Sequence, residues 1–476
     1  MIADCGVISP TERPGIRFAA SVCALLVFIV LPALQAQQPA PAGPPSGQGA
    51  QVRTGTASGL SLDARIQNLL AVHQYAQIAA QLGQLPEDQA QLYRGILANR
   101  SNNLKASIEI LEPLADKFAA AGDTAHEKLL RLALGEDYLR SGDLAKAAAA
   151  YATLETRLAK VLTPDEQDAI ELPVKLLPLA KDNPPMTIDP CNGFFMQVDT
   201  DPLGLTDVPV FIDSVSRSWM FDPTAPFNLM DRNSAHLVGL KLSEETATIH
   251  TLTGKPIEVH SAVIPRMTVG GRLTLHNVTV FVFDNHDYYF PINKYQVEGV
   301  LGYPILSALG AITVTDASTI EVHPSKRLDP DEDTELLTAG SPFYLDGDQI
   351  IVALGRAGDK ANPDTDDRMF ALDAGGQQTY LTARYFDEHA AEFNSQQTTQ
   401  FTVPGEKPQP VYVAETVPLR AGRMPFTLHF VRVLTEPLGQ AALDDVYGIL
   451  GVDALSQLQS YTFDYRTMRF TIVPEQ

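Results

Sequence analysis

The sequence predicts a multidomain chain, α then all-β: an N-terminal leader, a helical repeat and two copies of one β lobe. Three observations predict it. An uncharged apolar run follows two arginines near the start, residues 59–182 carry a helical pattern, and from about residue 190 the apolar period drops to two. Within that last part the same landmarks recur. Phe221-Asp222-Pro223-Thr224-Ala225, followed by Leu229-Met230, matches Leu372-Asp373-Ala374-Gly375-Gly376, followed by Tyr380-Leu381. Val300-Leu301-Gly302 matches Ile449-Leu450-Gly451, Gly254 matches Gly405, and Gly270 matches Gly422. The pairs stand 149 to 152 residues apart. A duplicated lobe explains this better than coincidence does.

The elements follow in order. Arg13 and Arg17 precede the uncharged run Phe18 to Pro32, and Ala33-Leu34-Gln35-Ala36 offers a cleavage site, so residues 1–36 read as a signal peptide. The run is shorter than the roughly 20 residues that span a bilayer. Export is expected, periplasmic or secreted. Leu34 fits the small-residue rule poorly, so an uncleaved N-terminal anchor is the alternative, and the leader is the one expected membrane tether. Residues 37–58 are mostly Gln, Pro, Ala, Gly and Ser, with one charge at Arg53, and read as a disordered linker.

Residues 59–182 form the predicted helical domain. One helix-turn-helix rhythm runs from Tyr93 to Leu111, and a second from Leu132 to Tyr151, with Gly142 suited to the turn. The second segment resembles a tetratricopeptide repeat, and the first is a weaker copy about 40 residues upstream. Such repeats stack into grooves that bind peptides or proteins, so a protein partner on this region is expected, a plain helical spacer being the alternative. Asn183-Pro184-Pro185 ends the helices.

Two lobes follow, 190–327 and 340–476. Val208 to Ile212, Thr274 to Phe283 and Phe426 to Val433 alternate or run apolar, as half-buried strands do. Gly270-Gly271 marks a turn. Leu328 to Glu335 carries five acids beside a proline and reads as the linker between copies; a calcium loop would need a glycine that is missing. Asp359 to Asp367 reads as a solvated hairpin tip. A short helix is expected over Pro304 to Leu309, and another over Asp453 to Leu458.

Composition narrows the chemistry. With 57 acids against 35 bases the net charge is −22, and the pI is about 4.8; no basic stripe is present, so nucleic acid is excluded as a partner. Cys5 and Cys23 lie in the leader and Cys191 stands alone, which leaves no disulfide beyond the leader and no Cys/His metal spacing. His236, His250, His260 and His276 lack the i, i+4 spacing around a glutamate that a zinc peptidase uses. No phosphate-binding Gly-Lys-Ser loop and no Gly-x-Ser-x-Gly elbow occur. No metal and no cofactor is expected. Trp219, the only tryptophan, reads as core.

The constellation left is the pair of Asp turns. An apolar strand into Asp, a sharp turn, and a later apolar-apolar-Gly element in each copy resemble the retropepsin-like aspartic peptidase family. The resemblance covers about 200 to 476. It implies two β-barrel lobes forming a pepsin-like pseudo-dimer, with a polypeptide substrate lying extended beneath hairpin flaps. It implies Asp222 and Asp373 as a catalytic dyad, two carboxylates that share a proton and activate water. By position it implies Thr253-Gly254 and Pro404-Gly405 as flap tips and Gly375 beside the second carboxylate. The family motif is Asp-Thr-Gly. Here Pro223 and Ala374 replace the threonine, losing its bracing hydroxyl, and Thr224 replaces the first glycine, where strain is expected. Two functions follow: an exported aspartic-type endopeptidase, or a catalytically impaired peptidase-like protein that binds peptides or acts as a scaffold.

Overall fold

The computed structural model describes residues 60–250, 256–290, 293–316, 318–324, 340–358, 368–373, 378–393, 398–401, 409–438 and 444–474. The leader, the tether, the acidic linker and the 359–367 tip lie outside the described residues. So do Thr253, Gly254, Gly375, Pro404 and Gly405.

Seven helices come first among the described residues: α1 (Leu62–Ala71), α2 (Tyr75–Gln81), α3 (Glu87–Arg100), α4 (Leu104–Ala121), α5 (Thr124–Ser141), α6 (Leu144–Arg157) and α7 (Pro164–Ala180). Their ends follow local chemistry. Asp123 and Asp143 accept the amides of His126 and Lys146 at the starts of α5 and α6. Gly122 and Gly142, at φ 69° and 81°, end α4 and α5. A Thr163–Glu166 capping box opens α7. The 40-residue rhythm reappears in packing. A Cβ on Gly95 would sit 2.4 Å from Leu111, and one on Gly135 would sit 3.0 Å from the Tyr151 ring. In each pair a glycine lets the next helix lay a large side chain against the backbone.

The first lobe contains β1 (Thr187–Ile188), β2 (Phe194–Gln197), β3 (Asp199–Thr200), β4 (Thr206–Ile212), β5 (Val215–Phe221), β6 (Leu229–Asp231), α8 (Arg232–Leu237), β7 (Thr246–His250), β8 (Pro256–Val269), β9 (Leu273–Phe283), β10 (Tyr289–Phe290), β11 (Tyr295–Gln296), β12 (Gly299–Leu301), α9 (Tyr303–Leu309), β13 (Ala311–Asp316) and β14 (Thr319–His323). The second contains β15 (Ser341–Asp346), β16 (Gln349–Arg356), β17 (Arg368–Leu372), β18 (Tyr380–Leu381), α10 (Ala383–Phe393), β19 (Thr399–Phe401), β20 (Gln409–Ala421), β21 (Met424–Leu434), β22 (Gly448–Leu450), α11 (Val452–Leu455), β23 (Leu458–Asp464) and β24 (Arg469–Pro474). The expected helix over Asp453 to Leu458 is shorter than the sequence implied. Leu458 already pairs with Pro474, and that antiparallel ladder takes the residue from the helix.

The two lobes share one pairing plan. In the first, β4 pairs with β5, β5 with β12, β12 with β6, β6 with β9, β9 with β8, and β8 again with β4. In the second, β16, β17, β22, β18, β21 and β20 pair in the same cycle. The parallel and antiparallel senses agree at every step. Gly270-Gly271 turns between β8 and β9 with positive φ at both residues.

A single sheet joins the lobes: β15, β24 and β23 of the second continue into β13, β14 and β2 of the first. The junction is the antiparallel pair β13–β23, where Thr313 stands opposite Thr462 and their hydroxyls hydrogen-bond at 2.8 Å. These threonines are 149 residues apart, the offset that separates Gly302 from Gly451. Equivalent residues therefore meet at the junction.

The helices are not a detached spacer. Their core merges with buried residues of the first lobe, among them Met220, Phe227, Ile257 and Phe281. α7 packs on β7 and β8, and Asn183 donates to Ser261 and Thr279. α3 reaches the second lobe. Arg100 meets Asp346 at 2.7 Å, and His73 and Tyr75 each contact the same carboxylate at 3.0 Å. The helical layer thus spans both lobes.

Candidate active site

Each Asp turn grows from one strand arrangement. β5 runs parallel to β12 with Phe221 opposite Leu301, and β17 runs parallel to β22 with Leu372 opposite Leu450. The next residue in each case is the aspartate. Asp222 donates its amide to the Leu301 carbonyl at 3.2 Å, and Asp373 to the Leu450 carbonyl at 2.9 Å.

The glycine after each of those leucines is then held by the returning chain. Gly302 donates to Asn228 Oδ1 and Gly451 to Thr379 Oγ1, both at 2.9 Å. Asn228 and Thr379 are 151 residues apart, equivalent positions with different side chains doing one job. A Cβ on Gly302 would lie 2.3 Å from the Phe227 carbonyl oxygen, so no other residue fits there. Behind the strands, Trp219 and Phe370 are both fully buried. Their rings lie over Gly299 and Gly448, again at equivalent positions. Trp219 is a core residue, as its sequence position implied.

The carboxylate of Asp222 is 3% exposed. Burial pushes its pKa up, and two hydrogen bonds from Thr224 oppose that. The Thr224 amide donates to Oδ1 at 2.9 Å and the Thr224 hydroxyl at 2.6 Å. The strain expected at Thr224 is not found, because Thr224 is not among the residues with positive φ. The turn closes with Pro223 and Thr224 in ordinary backbone conformations, and the hydroxyl absent at 223 is replaced by one at 224 that serves its own lobe. Asp373 is half-buried at the end of β17.

The first turn borders a cavity of about 120 Å³. Pro223 and Thr224 line it from the first lobe; Gly347, Asp348 and Ile350 line it from the second. Ile350 pairs with Leu372, the residue before Asp373. The opposite wall is helical, with Tyr151 of α6 and Ile170 of α7.

Asp348 and Tyr151 escaped the sequence reading. Asp348 keeps solvent-exposed surface yet is crowded enough by protein to be pushed up to about 6, first by burial and then by the charge of Asp222. It sits in the turn between β15 and β16, against the cavity. A signal for Tyr151 did exist: the 40-residue repeat places it where the earlier copy has Leu111. Among the described residues no group of three His, Cys, Asp or Glu side chains is arranged to hold a metal.

A sequence model of the aspartyl protease family matches residues 208–305, from β4 through the Asp222 turn to the start of α9. No curated protein matches the chain. Among solved structures, basic 7S globulin from soybean is 10% identical with a TM-score of 0.38, over 60% of this chain and 97% of that one. A retropepsin-like aspartic protease from Rickettsia conorii is 13% identical with a TM-score of 0.19, over 29% of this chain and 90% of that one. Both scores are too low to carry an argument about this chain.

Proposed function

We propose that the chain is an exported aspartic-type endopeptidase, two closed retropepsin-like lobes forming a pepsin-like pseudo-dimer, with Asp222 and Asp373 as the catalytic pair. One observation carries the proposal. The two aspartates end equivalent strands, and each donates its amide to the equivalent leucine in lobes joined through equivalent threonines. The match of 208–305 to aspartyl proteases supports the same reading.

In this mechanism the pair holds one proton. The ionised member takes a proton from water, which attacks the scissile carbonyl. The protonated member donates to the carbonyl oxygen, and a proton then passes to the leaving amine. The raised pKa of Asp222 suits the proton-carrying role. The residues expected at the flap tips, Thr253, Gly254, Pro404 and Gly405, and Gly375 beside Asp373 would hold an extended polypeptide. The helical repeat would present a surface for a protein partner.

The test is hydrolysis of an unfolded polypeptide by the full chain at acidic pH. Asp222→Asn and Asp373→Asn are each expected to reduce it to background. Full activity in either variant removes the pair from the mechanism.

A second reading has its own support. The helical layer covers the cavity beside Pro223 and Thr224, and that favours a protein that holds peptides without cutting them. Sustained cleavage by purified protein, lost in Asp373→Asn, rejects it.

A further inference from the structure

The cavity beside the Asp222 turn carries more than the dyad uses. Its walls are mostly apolar, with Leu132, Leu139, Ile170 and Leu172 from the helices and Leu345 and Ile350 from the second lobe. Asp348, Asp168 and Tyr151 are among the polar side chains on its walls that the mechanism leaves idle.

Tyr151 is the telling one. It is 5% exposed, and among the described residues its hydroxyl has no hydrogen-bond partner. Its ring lies on the α5 backbone at Gly135. The equivalent position of the preceding repeat is Leu111, fully buried and apolar. A helical core does not need a hydroxyl at this place, and Tyr151 lines the cavity. The hydroxyl is near enough to Asp348 for that carboxylate to act on it, after burial, Glu136, Arg140 and Arg100.

The charge around the cavity is unbalanced. Among the described residues Arg140 is the one cation lining it, and Arg140 is committed to Glu136 at 2.6 Å and to the Asn99 carbonyl at 2.9 Å. Asp348 feels Asp222, Asp346 and Glu136, all acids. Asp168 feels Glu171 and Asp165, acids again. An apolar chain ending in a cation satisfies all of this: its stem packs on the leucines and isoleucines, and its head meets the carboxylates.

We propose that this cavity, built jointly by the helical layer and both lobes, binds an alkylammonium group of a polypeptide. The head hydrogen-bonds to Asp348, and the hydroxyl of Tyr151 accepts from the same group. A lysine side chain and the amino-terminal residue of a chain both carry this chemistry. As a substrate subsite the cavity rests on the peptidase reading; as a binding site it does not.

The experiment therefore measures binding and not turnover. n-Hexylammonium and n-hexanol are titrated calorimetrically into the full chain. The amine is expected to bind at least about tenfold more tightly, since a hydrogen bond to a charged partner is worth that much. Asp348→Asn and the isosteric Tyr151→Phe should each weaken amine binding by about tenfold and leave hexanol unchanged. Equal affinities for amine and alcohol, no saturable binding of either, or unchanged amine affinity in Asp348→Asn overturns the proposal. Two peptides distinguish the sources: one acetylated at its amino terminus with an internal lysine, and one with a free terminal leucine and no lysine. Binding of either supports the pocket and names its source, and binding of neither overturns its role for polypeptides. Loss of hydrolysis in the wild type would sink the peptidase reading and leave the amine titration intact.

Discussion

Thr224 changes the meaning of the altered Asp turn. Read by position, Pro223-Thr224 removes a hydroxyl and adds a side chain where glycine belongs. In the fold the new hydroxyl and its amide both donate to Asp222 Oδ1. They partly offset the burial that raises this carboxyl. Thr224→Val keeps the shape and removes the hydroxyl donor. The alkaline limb of the pH–rate profile should move to higher pH, because the ionised form of Asp222, the proton-carrying member, loses a donor, and kcat should fall about tenfold or more. An unchanged profile would show that the hydroxyl does not tune the carboxylate. The aspartates and the glycines were legible in the sequence because few other residues fit a sharp turn or a strand under an indole. Asn228 and Thr379 were not, since an amide and a hydroxyl share no sequence pattern, only an acceptor atom aimed at a glycine amide.

Elements couple through a few side chains. Asp346, at the end of β15, gathers Arg100, His73 and Tyr75 from the helical layer. Burial is the largest single effect on this carboxyl, but Arg100, His73 and Tyr75 together outweigh it and hold Asp346 well below the usual range. Removing one partner of such a pair strands the other, a loss of about 3–5 kcal/mol in buried settings. Asp346→Ala should therefore lower the unfolding midpoint and loosen the helical layer first, seen as faster amide exchange in α3 than in β13 and β23. Uniform exchange would mean that the layer and the lobes unfold as one. The junction threonines permit a separate check. A double-mutant cycle of Thr313→Val and Thr462→Val should give a coupling of about 1 kcal/mol, as for a neutral hydrogen bond. No coupling would remove the pair as a contact that holds the lobes. Strand identity at these places followed from the period-two pattern. The ladder that shortened α11 did not, because a helix end and a strand start compete for the same residues and only the neighbouring strand decides.

The whole molecule should answer to pH in one direction. Burial, with Asp201 nearby, pushes Asp207 up to about 7, and burial pushes Asp137 up to about 6. A carboxyl raised on folding contributes stability that is complete below its unfolded pKa of about 4 and is lost as pH rises through the folded value. Stability should thus increase as pH falls from about 7.5 to about 5. Asp346 works oppositely: its contribution is present above the ordinary carboxylate range and disappears only in stronger acid. Thermal unfolding at pH 7.5 and pH 5 should give a higher midpoint at pH 5, by on the order of a few degrees; a lower one would show that these carboxyls are not buried as described. Sequence alone settled the order of α before β, the doubled lobe and the acidic charge, because each is written in local period, spacing or charge. Tertiary structure alone decided that the helices lie across both lobes, that Thr224 serves Asp222, and that Tyr151 and Asp348 meet at one cavity. Those contacts join residues as far as 271 positions apart, and no periodicity reports which distant faces will exclude water together.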